Sequence, residues 1–149
     1  MKQAVSFFTF DQNVDLREAM QQSKAAGYDG VEPVLSEAGS LSMQLQEKDL
    51  LRIRAMADYN LASPDPAVSG RAKDIIKKQI ECAAIFGADT ILCVPGWVGT
   101  NFAPGIVRYD AAYENAQKRL AELVPFAAAA GVCIAVENVW NKFLLSPLE

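Results

Sequence analysis

The chain has 149 residues, 51% of them apolar, which suits one domain with a sizeable core, and a formal net charge of −4. Its 14 basic residues are scattered without a Lys/Arg block, which argues against a surface that tracks nucleic-acid phosphates. The apolar run in "MKQAVSFFTFDQ" is ended by Asp11 too soon for a signal peptide or a membrane span, so a cytoplasmic location is the expectation.

"AVSFFTF" (4–10) reads as a first strand on which Phe7 and Phe8 alternate, so that one ring faces an interior, where it packs in the core or reaches a pocket floor. Asp15 with Glu18 three residues on gives a capping box for a helix near 16–26. "GVEPVL" then gives a strand over 30–35 that carries Glu32. Leu50, Ile53 and Ala57 share one stripe of a helix near 48–59. A strand should follow. Instead the chain runs "LASPDPAV", whose Pro64 and Pro66 cannot serve a central parallel strand. The interval from Gly27 to Gly87 is also too short for two strand–helix units, which predicts a missing strand-bearing segment near 61–63.

Asp65-Pro66 predicts the start of a helix over 66–86. The strand over 90–95 leads through "VPG" to Trp97 and a glycine-bearing loop, "GTNFAPG", without a phosphate-loop pattern. That loop reads as a lid. A helix follows near 110–129, then a strand over 132–137 that delivers Glu137 and Asn138, with Trp140, Asn141 and Lys142 close behind.

Three segments, "KAAGYDGVEPVL", "AIFGADTILCVP" and "AAAGVCIAVENV", each close an amphipathic Ala-rich run with Gly and then give an apolar strand. Continuous apolar strands alternating with helices predict a parallel sheet covered by helices, either doubly wound or a (β/α)₈ barrel. The chain lacks His, and Cys82, Cys93 and Cys133 lack any CxxC spacing. Acid–base chemistry therefore falls to carboxylates or Lys, and the thiols read as reduced and buried.

Glu137 raises the sharpest question, because a carboxylate directly after a buried strand must be solvated, paired or bound to metal; left bare it costs several kcal/mol. A metal-ligand role and a structural one, pairing with Lys142 or capping the next helix, are both open on the residues alone. Glu32 and Trp97 fall at other strand ends, as a substrate contact and a pocket wall respectively; an ion pair and loop packing are the alternatives. Asn138 and Trp140 lie on the loop after the last strand, where Asn138 can fix Glu137 or bind substrate and Trp140 can touch substrate or merely pack.

"GYDGVEPVL", "SPDPAVSGRAKDIIKKQIECAAIFGADTILCVPG" and "GVCIAVENVWNKFLLSP" resemble the sugar isomerase/epimerase branch of the xylose-isomerase-like barrel superfamily. That branch includes tagatose and ribulose epimerases, hydroxypyruvate isomerases and inosose dehydratases. The resemblance implies a (β/α)₈ TIM barrel, of which residues 1–149 form one domain supplying strands one, two, four and five. Strand three is then missing near 61–63, and the rest of the barrel lies beyond Glu149.

It further implies a divalent cation, Mn²⁺ or Mg²⁺ with Co²⁺ or Zn²⁺ as further candidates. Glu137 would be its first ligand, and an Asp, a His and a Glu would follow beyond residue 149. The implied activity is isomerisation or epimerisation of a ketose or related sugar by proton transfer through an enediolate. Glu137 would be catalytic; Glu32, Trp97, Asn138, Trp140 and Phe7 would contact substrate. An inosose-type dehydratase and a non-catalytic barrel fragment are the alternatives. The implied partner is a small sugar, with neither nucleic acid nor membrane, and assembly as a homo-oligomer is compatible with this reading.

Overall fold

The chain forms two compact units, Met1–Ile53 and Arg54–Glu149. The computed structural model describes residues 2–34, 60–99, 106–139, 142–146 and 148.

In the first unit, β1 (Ala4–Ser6) is followed by a single 3₁₀ turn over Phe7–Thr9, then by α1 (Leu16–Ala25) and β2 (Gly30–Glu32). Asp15 caps α1 by accepting the Glu18 N–H at 2.8 Å, as the Asp–x–x–Glu spacing predicts. β1 and β2 pair in parallel, with Ser6 opposite Glu32. Phe7, Leu16 and Ala19 form the buried centre, flanked by Phe10, Val14, Val31 and Val34. Full burial of a side chain like Phe7 stabilises by roughly 1.5–3 kcal/mol.

The first strand is shorter than the sequence suggests. It stops at Ser6, because the Phe10 N–H returns to the Phe7 carbonyl at 3.2 Å and the Thr9 hydroxyl donates to the Ser6 carbonyl at 2.7 Å. The expected strand alternation of Phe7 and Phe8 is thereby replaced by a turn. Phe7 goes into the core at 0% exposure, while Phe8 stays 43% exposed.

In the second unit, α2 (Pro66–Phe86) leads to β3 (Thr90–Cys93), and α3 (Tyr109–Ala129) to β4 (Cys133–Val136). Asp65 caps α2 through the Ala67 N–H at 2.8 Å, and Pro66 takes the first helical position, where its missing N–H is no loss. Gly87 ends α2 with φ 72° and Gly131 follows α3 with φ 69°, a backbone region that a Cβ disfavours. β3 and β4 pair in parallel, Thr90 opposite Cys133 through Cys93 opposite Val136.

Both helices lie on one face of this sheet. Ala72, Ile76, Ile80 and Ala83 of α2 join Leu123 and Ala127 of α3 over Ile91 and Cys93. By the period-2 alternation of strands, Thr90, Leu92, Cys133 and Ala135 occupy the opposite face, and all four are exposed. The expected strands 30–35, 90–95 and 132–137 end earlier, at Glu32, Cys93 and Val136. Pro33 and Pro95 lie just past two of these ends, where their lack of a donor would interrupt a ladder.

At 61–63, where a missing strand-bearing segment is expected, the chain makes a hydrogen-bonded turn in which the Ser63 N–H donates to the Asn60 carbonyl at 3.1 Å. Leu61, Ala62 and Ser63 are all buried. Among the described residues no strand lies between β2 and α2, in keeping with the two prolines. The helix expected near 48–59 and most of the lid loop, residues 100–105, lie outside the described residues.

Candidate functional site

The C-terminal end of the β3–β4 sheet is organised by its ladder. The Glu137 N–H donates to the Cys93 carbonyl at 2.9 Å, so one ladder hydrogen bond is made just past the end of β4, at Glu137. Alternation then separates Glu137 from its neighbours. Val136 and Asn138 both line a cavity of about 370 Å³ against α3, together with Tyr113, Gln117, Leu120 and Phe143. Glu137 falls instead on the face of Cys133 and Ala135, which the helices leave uncovered, and it is exposed. Among the described residues it forms no ion pair, with Lys142 or any other cation.

Asn138 therefore sits beside α3 rather than beside Glu137. Trp97 is 7% exposed, and its backbone is gripped on both sides by Asn60: the Asn60 Nδ2 donates to the Trp97 carbonyl at 3.1 Å, and the Trp97 N–H donates to Asn60 Oδ1 at 3.3 Å. Glu32 belongs to the first unit, where it is exposed as the last residue of β2. Phe7 is in that unit's core. Trp140 and Asn141 lie outside the described residues.

Several residues that sequence reasoning passed over shape this rim. Arg119 donates to the carbonyls of Leu61 and of Ser63, the latter at 2.6 Å, and Asn115 donates to that of Ala62 at 3.3 Å. Burial lowers the affinity of the Arg119 guanidinium for its proton, with Glu122 acting in the opposite sense. Gly96 passes so close to Asn60 and Ala62 that a Cβ there would lie 2.6 Å from the Ala62 Cβ. Only the i, i+4 spacing of Asn115 and Arg119, which puts both on one side of α3, hints at this in the sequence.

The sequence pattern of the xylose isomerase-like TIM barrel family matches residues 20–147. The chain belongs to that family. Solved structures agree on the fold. D-psicose 3-epimerase with D-tagatose from Clostridium cellulolyticum H10 superposes with a TM-score of 0.71 at 17% identity, over 93% of this chain and 53% of the epimerase. L-ribulose 3-epimerase gives 0.68 at 19% identity, over 93% and 50%. A Thermus thermophilus protein soaked with ZnCl₂ gives 0.57 at 22% identity, over 94% and 56%. This xylose isomerase-like chain thus spans about half the length of the solved structures it matches. No curated protein matches it.

In barrels of this kind the active site lies at the C-terminal ends of the strands, the end at which Glu32, Trp97 and Glu137 each follow or close a strand of their own unit. A carboxylate is a suitable oxygen ligand for Mg²⁺ or Mn²⁺. Yet among the described residues no three His, Cys, Asp or Glu side chains gather into a cluster. Glu137 could contribute one ligand, and the described residues by themselves do not fit a complete metal centre. No described helix is long and apolar enough to cross a membrane.

Proposed function

We propose that the chain is part of a cytoplasmic sugar epimerase or isomerase that depends on a divalent cation and acts on a ketose, with Glu137 moving the proton. The observation that carries the reading is the position of Glu137. It extends the β4 ladder by one residue and falls on the sheet face that the helices leave open, in a chain of the xylose isomerase-like family. The solved 3-epimerases add support, since D-psicose and L-ribulose, the sugars they epimerise, are ketoses.

The chemistry asked of Glu137 is modest. Glu137, as one of two carboxylates, would take the proton from the carbon beside the carbonyl on one face, and a second acid, which the described residues do not supply, would deliver a proton to the other face and so invert that carbon. Exposure leaves this carboxylate open to a ligand, while its backbone bond to Cys93 fixes where the side chain begins. A cation bound nearby would supply positive charge beside the substrate oxygens. Trp97 is the proposed substrate contact.

The test is proton exchange at C3 of D-tagatose, D-psicose and L-ribulose in D₂O, followed by NMR with added MnCl₂ or with EDTA. Deuterium entering C3 with appearance of the epimer, abolished by EDTA and restored by Mn²⁺, is the expected result. No exchange in any of the three sugars with the complete folded protein of which the chain is part, in the presence of Mn²⁺, Mg²⁺, Co²⁺ or Zn²⁺, would refute the reading.

A further inference from the structure

Three successive backbone carbonyls, those of Leu61, Ala62 and Ser63, are captured by two side chains one helical turn apart on α3. Arg119 takes the outer two and Asn115 the middle one. The residue just before them, Asn60, is 4% exposed and commits its amide to the loop after β3. Its Oδ1 accepts from both the Ala62 N–H at 2.9 Å and the Trp97 N–H at 3.3 Å, and its Nδ2 donates to the Trp97 carbonyl at 3.1 Å.

We infer that Asn60–Ser63 is a strap by which α3 positions the rim loop bearing Trp97, with Arg119 and Asn60 as its positioning residues. This rests on the reading of that rim as a sugar site. Three features argue for a positioning device rather than ordinary loop packing. A buried Asn must find partners for its amide, and here it holds both backbone groups of one residue, Trp97, so the amide fixes the orientation of a single peptide segment. The guanidinium fork spans two carbonyls that a point charge could not hold together.

The close approach also leaves no room for adjustment, because a Cβ at Gly96 would run into both Asn60 and Ala62. The β3–α3 loop is thereby coupled to a helix side chain more than twenty residues further along the chain. An error of about 1 Å in a substrate wall can cost on the order of a hundredfold in rate, which is why such a loop benefits from being tied down.

The test uses Trp97 as its own reporter, in a Trp140→Phe background, since the chain has two Trp. Asn60→Ala and Arg119→Ala should leave helical circular dichroism unchanged, shift Trp97 emission to the red, and raise its acrylamide quenching constant at least about twofold by loosening the loop. Arg119→Lys, which retains charge but not the fork, should shift emission in the same direction. In the complete protein with Trp140 intact, KM for the ketose should rise at least about fivefold, with kcat changing less, because a binding wall has moved.

Unchanged emission and quenching in a folded Asn60→Ala chain would overturn the strap. So would a parallel fall in kcat without a rise in KM. Hydrogen exchange on the unmodified chain decides the matter even if the variants do not fold: the Ala62 and Trp97 amides should exchange at least ~100-fold more slowly than unstructured amides, and free exchange would refute the strap. Absence of ketose epimerisation in the complete unmodified protein would instead remove the sugar-site reading, leaving the fluorescence and exchange arms to judge the strap alone.

Discussion

The N–H of Glu137 lies 2.9 Å from the carbonyl of Cys93, so a backbone bond, indifferent to side-chain identity, sets where the Glu137 carboxylate begins. Glu137→Gln should therefore keep the fold, with a melting temperature within a few degrees of the parent's. In the complete protein, turnover should fall at least ~100-fold, since general acid–base catalysis contributes typically 10²–10⁴. Near-normal epimerisation with unchanged metal dependence in the folded variant would end the assignment.

Two glycines separate steric crowding from backbone strain. Gly87 has φ 72° and open space around it, whereas Gly96 has neighbours within contact distance. Gly87→Ala should cost roughly 1–2 kcal/mol through its left-handed backbone alone. Gly96→Ala should cost roughly 1–3 kcal/mol through overpacking, and it alone should disturb Trp97 fluorescence. Urea denaturation with emission spectra checks both.

Two of the three cysteines should differ in reactivity. Burial pushes the Cys93 thiol up from the ordinary 9.0 to about 11, whereas Cys133 is exposed. Iodoacetamide at about pH 8 should label Cys133 on the native chain and reach Cys93 only on unfolding, because the thiolate is the nucleophile. The folded chain holds the Cys93 proton more tightly than the unfolded one. The stability tied to it is thus fully present below pH 9.0 and is lost as pH rises towards about 11. Cys93→Ala should flatten that decline, which urea midpoints across the range would reveal.

The core of the second unit predicts a contrast between two aliphatic residues. Leu123 is 0% exposed and Ile85 is 78% exposed. Leu123→Ala should cost roughly 2–5 kcal/mol through lost burial and a residual cavity. Ile85→Ala should stay within about 0.5 kcal/mol, as exposed substitutions do.

The elements most legible in the sequence were those with local chemical signals. Asp15 and Asp65 announce helix starts, and Gly27, Gly87 and Gly131 announce helix ends with positive φ. Strand lengths were less legible, because apolar runs such as "AVSFFTF" continue past the point where a turn or a proline ends the ladder. Phe7 shows the reason: its aromatic ring suits a strand or a core turn equally well, and the choice was made by Leu16 and Ala19 packing on it.

Glu137 could be found because it directly follows an apolar run. Asn60, Asn115 and Arg119 could not, since their partners lie 37 to 58 residues away and no local pattern encodes such a meeting. The separation of Asn138 from Glu137 was readable in principle, because adjacent strand residues point to opposite faces.

The helices of the second unit cover one side of the β3–β4 sheet, and on the other side Leu92 is 47% exposed in register with Ala135. Such a surface takes up fluorescent hydrophobic dyes, and its behaviour depends on which salt is dissolved around it. Excluded anions such as sulfate strengthen the drive to hide apolar area, whereas urea weakens it. Light scattering during an ammonium sulfate titration should therefore rise early for the parent chain. Leu92→Ser should delay that onset, linking this one leucine to the handling properties of the whole molecule.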